Sequence, residues 1–308
     1  MVWLYILLGL AVLMAAGALV CFILTYYSPT RTAAGMAADR FPPGKVYEPY
    51  HPILRQWAAQ VDGMEHVPMQ VKTPDGLTLR GKLYILSPAA PVEILFHGYR
   101  GFSERDMCGA VQRCFAVGHS ALLVDQRAAG TSDGHVITFG VKESEDVSLW
   151  IAAVAHRFGA HHPVYLGGVS MGATTVLLAA GRDLPPQVKG VLADCGYSRA
   201  EDIIKKVIRD LKLPANLLYP LVRLGALLYG GFDPNRGDAT AAVSRCRVPV
   251  IFFHGDDDRF VPCEMSRMNY AACTARKRLV ITPGAGHGLC YPADPAGYEA
   301  AVKEFYGE

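Results

Sequence analysis

Between Gly167 and Ala173 the chain reads GGVSMGA, a serine framed on each side by a glycine two positions away. A hydroxyl is a weak nucleophile at neutral pH; it needs a neighbouring base, and the base needs a group to hold it. With 31 glycines in 308 residues, the G-x-S-x-G spacing around Ser170 is a weak signal alone. Among ten histidines, His287 stands in PGAGHG, a glycine-rich loop that can bring its ring close to other backbone. His97 and His254 each open a His-Gly pair at a strand end, where a ring packs or bonds locally. His161 and His162 lie in a polar loop with His156 nearby, but no further ligands gather at metal spacing, so no metal is expected. Asp256, Asp257 and Asp258 end the run IFFHG, and such an acidic cluster is ordinarily a solvated turn.

These groups need elements to position them. Val67–Val71 and Leu77–Ile85 flank a Pro-Asp-Gly turn and predict a hairpin. Val92–Phe96 reads as a short apolar strand, Asp106–Val117 as a helix and Ser120–Val124 as a strand. Val141–Phe158 predicts a long amphipathic helix, with Glu143, Glu145 and Asp146 in opening turns where carboxylates suit the helix dipole. Pro163–Gly167 predicts a strand and Ala173–Ala180 a helix, so Ser170 falls at a strand-to-helix turn. Val188–Ala193, Val248–Phe253 and Arg278–Ile281 predict strands, and Ala296–Tyr306 a closing helix. Short apolar strands separated by helices argue for an α/β fold, a parallel sheet covered on both faces. Residues 198–245 break the alternation with two helical runs, Ala200–Leu211 and Asn216–Tyr229, and read as a helical cap that shapes a pocket.

The formal charge of +2, with both signs interspersed, gives no reason to expect a nucleic-acid partner. Val2 to Tyr27 is almost wholly apolar and no charged side chain precedes Arg31, which suits a spanning helix of about 20 residues. A cleaved signal peptide would carry an early basic region and a shorter apolar run. The expectation is an uncleaved anchor over 1–29, a polar connector over 30–61, and one catalytic domain over 62–308. Arg31, Arg40 and Lys45 follow the span and place that domain in the cytoplasm by the positive-inside rule. Eight cysteines without a C-x-x-C pair fit a reducing compartment.

In chain order, LFHGYRGF, DQRAAGTSDG, GVSMGA, HGDDDRFVP and GAGHG resemble the loops of α/β-hydrolase-fold serine hydrolases, from about Val67 to the C-terminus. The group most alike is the membrane-anchored bacterial members similar to Bem46 and the serine aminopeptidase-like hydrolases. Ala128–Ala129 stand where relatives often carry glycine or histidine, and no triple glycine follows His97–Gly98. The resemblance implies an α/β-hydrolase fold, a mostly parallel central sheet with helices on both faces and a small helical cap. It also implies a triad in the order Ser170, Asp258, His287, with Asp258 chosen because it fills the fifth position of H-G-x-x-D-x-x-V-P and Asp257 left as the fallback. Backbone N–H groups of Met171 and Tyr99 would form the oxyanion hole.

Three functions remain open on this reading. The first is a serine hydrolase acting on a small-molecule acyl substrate, above all a carboxylic ester, with no cofactor required and activity rising as His287 sheds its proton. The second is a peptidase of the aminopeptidase-like type, which would need an acidic or restrictive subsite near the cap. The third is a membrane-tethered binding protein on a hydrolase scaffold. Asp125, Arg127 and Asp133 read as loop-fixing residues, and Cys290, near His287 in sequence, could make the site thiol-sensitive.

Overall fold

The computed structural model describes residues 1–29, 35–36, 41–107 and 109–307. Arg31 and Arg40, on which the expected orientation rests, lie outside the described residues. Helix α1 (Val2–Thr25) opens the chain and α2 (His51–Asp62) follows. The stretch holding α2 was expected to be a connector. Its Leu54, Trp57, Ala58 and Val61 fall at helical spacing on one buried face, and Pro52 sits in the first turn, where it starts a helix instead of breaking one.

Eight strands form one sheet: β1 (Val67–Lys72), β2 (Thr78–Tyr84), β3 (Val92–Phe96), β4 (Ser120–Val124), β5 (Val164–Val169), β6 (Val188–Asp194), β7 (Val250–Gly255) and β8 (Lys277–Thr282). Their spatial order is β1-β2-β4-β3-β5-β6-β7-β8, antiparallel at the β1–β2 and β2–β4 pairs and parallel from β4 to β8. β3 and β4 are buried along their whole length, as a sheet covered on both faces requires. β3 is not wholly apolar, however: Glu93 lies within it, fully buried.

The crossings are α3 (Ser103–Asp106), α4 (Ala110–Ala116), α5 (Glu143–Phe158) and α6 (Met171–Ala180), followed by α7 (Ala200–Asp210), α8 (Ala215–Gly225) and α9 (Ala239–Val243). α10 (Cys263–Ala272), α11 (Cys290–Ala293) and α12 (Pro295–Tyr306) complete the chain. The single helix expected over 106–117 is two pieces. The break includes Gly109, where an added Cβ would lie 2.6 Å from the Trp57 ring, so α2 packs into the gap. α10 escaped the sequence reading because its buried Met265, Ser266 and Asn269 are not a hydrophobic signal. One core cluster joins β3, β4 and β5 to α5 and α6 through Ile94, Leu122, Leu166, Trp150 and Val176. Truncating a buried aromatic such as Trp150 to alanine typically costs about 3–5 kcal/mol.

Between β6 and β7 the helices α7 and α8 run into a π-helical turn, Ala226–Gly230. Ile203, Ile204 and Ile208 of α7 share a cluster with Tyr219 and Val222 of α8 and with Phe22 and Tyr26 at the end of α1. The chain leaving α1 is tied to the domain by backbone: Ser28 N–H donates to the His135 carbonyl at 2.8 Å and Ile137 N–H to that of Tyr26 at 2.9 Å.

Candidate active site

Ser170 joins β5 to α6 with φ 56° and ψ −117°, a conformation that side chains rarely adopt. Two glycines make that turn feasible. An added Cβ at Gly168 would stand 2.3 Å from the backbone of Gly172, and one at Gly172 would stand 1.9 Å from the Phe96 carbonyl oxygen. Strand and helix approach too closely there for any side chain. The Ser170 N–H donates to the Asp194 carbonyl at 2.8 Å, which fixes the turn against β6.

His287 comes from the loop after β8, 117 residues away. Its Nε2 lies 2.9 Å from Ser170 Oγ and its Nδ1 2.7 Å from Asp258 Oδ2. With the ring proton on Nδ1, donated to the carboxylate, the Nε2 lone pair is free to accept from the hydroxyl. Asp258 follows β7 and its other oxygen accepts from the backbone N–H groups of Phe260 at 2.9 Å and Val261 at 2.8 Å. Burial alone would push the Asp258 carboxyl up; hydrogen bonds from His254 and His287, with the charge of His287, outweigh it and hold the group well below the usual carboxylate range. Asp257 instead pairs with Arg259 in an exposed turn, and Asp256 accepts from Gly284 N–H.

His254 is fully buried. Its Nε2 donates to the Val261 carbonyl at 2.9 Å and lies 3.2 Å from Asp258 Oδ2, while Nδ1 accepts from Ser266 Oγ at 2.7 Å. His97 likewise bonds locally, accepting from Gln126 N–H at 3.0 Å. Asp125 holds the Ser103 and Thr131 amides, Arg127 makes a two-pronged pair with Asp146 at 2.8 Å, and Asp133 pairs with Arg80. All three fix loops, as their turn sequences predict.

Tyr99 lies in the loop after β3, beside the serine: an added Cβ at Gly98 would be 3.5 Å from Ser170 Cβ. That loop is braced by Gly98 N–H donating to Asp106 Oδ2 at 2.8 Å. Met171 opens α6, so its N–H has no carbonyl a turn earlier to bond.

A cleft of about 790 Å³ opens over Ser170 and His287. Its walls include Pro42, Val46, Leu54 and Trp57 from the stretch preceding β1, with Leu95 and Leu192 beneath. No residue of 198–245 lines it. The cap was expected to shape the pocket; the segment that includes α2 does so instead. It can because Trp57 stacks on Tyr291, with ring centroids 5.0 Å apart, beside the histidine loop. The sequence reading missed this wall, and the apolar spacing of α2 was the signal that could have found it.

Beneath the cleft, Arg113 grips Glu93 with both prongs, at 2.7 and 3.0 Å, and His119 Nδ1 lies 3.4 Å from the same carboxylate. Burial alone would push Glu93 up; the charge of Arg113, then hydrogen bonds from His119 and Arg113, reverse this and hold it at about 2. The signal in sequence was the acid inside an otherwise apolar strand.

Among the described residues, the group of three metal-capable side chains is Cys195, Asp258 and His287, whose ligand atoms lie within 4.8 Å of one another. It coincides with the serine's partners. Burial, then the charges of Asp194 and Asp258, push the Cys195 thiol well up. Cys195 is thus the thiol beside the histidine. Cys290 is fully buried, and burial pushes its thiol well up too.

No family model matches the chain. It is 26% identical over 190 residues to the uncharacterized protein YqkD of Bacillus subtilis, a match covering 61% of this chain and 62% of that protein. It is 24% identical over 245 residues to the bifunctional esterase/perhydrolase DCH of Acinetobacter calcoaceticus, covering 65% of this chain and 86% of that one. Among solved structures, the Pyrococcus furiosus esterase Pf2001 superposes with a TM-score of 0.66 at 19% identity, covering 92% of this chain and 98% of the esterase. The sheet order, the strained serine between β5 and α6, and the likeness to solved esterases and α/β hydrolases agree: the chain has the α/β-hydrolase fold.

Proposed function

We propose that the protein is a serine hydrolase that cleaves an acyl bond, most readily a carboxylic ester, through an acyl-enzyme intermediate. The observation that carries this reading is the unbroken chain from Ser170 Oγ to His287 at 2.9 Å and on to Asp258 at 2.7 Å. Ser170 Oγ attacks the acyl carbonyl as His287 Nε2 takes its proton. The N–H groups of Met171 and Tyr99 receive the oxyanion, and removing such a donor typically costs about 2.7–4 kcal/mol of transition-state stabilisation. His287 then returns the proton to the leaving oxygen, and a water repeats the sequence to release the acid. Asp258 holds the imidazole tautomer and stabilises its charged form. The esterase names carried by DCH and by Pf2001 support this choice of bond.

An ester is favoured over a peptide amine because two of the three acidic groups lining the cleft are already engaged. Asp106 is held by Arg105 at 2.8 Å and by Gly98 N–H, and Asp257 by Arg259. Burial pushes the Asp194 carboxyl up, toward its neutral form, which suits an ammonium poorly.

We further propose that α1 is retained as a membrane anchor, with the domain in the cytoplasm. α1 is 24 residues long with a mean hydropathy of 2.8 in its most apolar window. A cleaved leader would take with it Ala18, Phe22 and Tyr26, all buried against the domain. The seven described cysteines are free thiols, in keeping with a reducing compartment.

A fluorophosphonate probe tests the enzyme reading. Labelling of the intact protein that is abolished by Ser170→Ala supports it. Folded protein that takes no label favours a binding role, and turnover of aminoacyl amides in preference to esters favours the peptidase.

A further inference from the structure

Helix α8 and the turn that follows it are apolar on two opposite faces. Ala215, Tyr219, Val222 and Ala226 form one face and are buried in the domain. Leu217, Leu221, Leu224 and Leu228 recur at the same helical spacing on the opposite face, where Leu217 is 71% and Leu228 57% exposed. A row of exposed leucines on the back of an already buried helix calls for a cover of protein or lipid. The one charge in residues 215–231, Arg223, is neutralised by a two-pronged pair with Asp233 at 2.7 and 2.9 Å.

What covers the outer face is indicated by its neighbour. α8 and its turn lie along the second half of α1: Tyr229 Oη donates to the Ala15 carbonyl at 3.0 Å, and an added Cβ on Gly17 would touch Leu221 at 3.9 Å. Gly225 brings the backbones so close that a Cβ there would lie 2.4 Å from the Ala18 carbonyl oxygen. Twenty-four residues of helix are about 36 Å long, and a hydrocarbon layer about 30 Å thick takes up some 20 of them. The stretch from Ala15 to Thr25 that runs beside the cap therefore lies partly within that layer.

We infer that the outer face of the cap, Leu217 to Leu228, is embedded in the lipid leaflet alongside α1, so that cap and anchor enter the bilayer as one unit. This rests on the reading of α1 as a membrane anchor. The occupant is lipid because the leucine face meets α1 at Leu221 and Gly17 and so continues into the exposed apolar surface of that helix.

Tryptophan quenching in vesicles of brominated phosphatidylcholine tests the two readings separately. Trp3 is exposed on α1, whereas Trp57 and Trp150 are buried. Comparing the wild type with Trp3→Phe reads the anchor alone. Leu217→Trp and Leu228→Trp, each in the Trp3→Phe background, read the cap, and Lys189→Trp serves as an exposed control. The expected result is that both cap tryptophans lose most of their added emission in brominated vesicles while the control keeps it. Quenching of Trp3 with the cap positions unaffected would overturn the cap inference and leave the anchor standing. Cap tryptophans that are shielded from water yet unquenched would also overturn it, in favour of a second copy. Absence of Trp3 quenching would overturn the anchor reading itself.

Discussion

The hydroxyl of Tyr99 donates to the carbonyl of Thr25 at 2.7 Å, joining the loop beside Ser170 to the last turn of α1. Arg100 adds a second tie from the same loop, to the carbonyls of Leu24 and Tyr27. The end of the apolar helix is therefore one of the supports of the loop that would carry an oxyanion donor. Tyr99→Phe keeps the ring against Phe139 and removes only the hydroxyl. Losing one such bond costs about 0.5–1.5 kcal/mol, and more if the carbonyl stays dry and unpaired. The expected outcome is a lower melting temperature and a several-fold fall in kcat with little change in KM. Unchanged kcat with lowered stability would confine the bond to a structural role.

Asp258→Asn should preserve the fold and nearly abolish turnover. The Asn carbonyl can still accept from Phe260 and Val261 N–H, which turns its NH₂ toward His287. That amide cannot accept from Nδ1–H, so the ring proton moves to Nε2 and the serine loses its base. A fall of about 10⁴ in kcat is expected on this mechanism. Steady-state kinetics on a chromogenic ester, with circular dichroism as a fold control, checks it; a loss below tenfold would remove Asp258 from the role.

Gly225→Ala should loosen α1 while leaving the serine turn itself in place. The new Cβ meets backbone at 2.4 Å, so helix and cap must separate. We expect a loss of about 1–3 kcal/mol, in the range of overpacking, and faster proteolysis near Tyr26–Pro29, with fluorophosphonate labelling retained. Equal protease resistance in variant and wild type would show that the contact bears no weight.

The Glu93–Arg113 pair should set part of the acid stability. Glu93 titrates at about 2 in the fold and near ~4.3 when unfolded, so its contribution is complete above that upper value and fades as pH falls toward the lower one. The charged and titratable groups facing it are Arg113, His119 and the Cys114 thiol. The lost stability is on the order of 3 kcal/mol. Urea midpoints between pH 6 and pH 3 should fall steeply for the wild type. Glu93→Gln should be less stable at pH 7, because Arg113 is left buried and unpaired, but flatter across that range. Parallel slopes would place the acid sensitivity elsewhere, with Asp258 and Asp75 among the other carboxylates held low.

Residue types and local spacing were enough for the serine turn, the alternation of strands and helices, and the length of α1. These features are local: a glycine-framed turn, an apolar run or a period of repetition carries its meaning within a dozen residues. The choice among three adjacent aspartates was not local and came from a resemblance. In the structure Asp258 is the one of the three bonded to the His287 ring, and the Phe260 and Val261 N–H groups hold it there.

The sequence by itself determined that Ser170, Asp258 and His287 would fall on loops after strands of an α/β sheet, behind a long apolar helix. Only the tertiary structure decided that the cleft is walled by the stretch around Trp57, and that the cap grips α1 instead of covering the serine. It alone placed Arg113 under Glu93. The physical reason is that these contacts join segments dozens of residues apart or more. Whether such apolar and charged faces meet depends on how every other element packs, and no period along the chain records that.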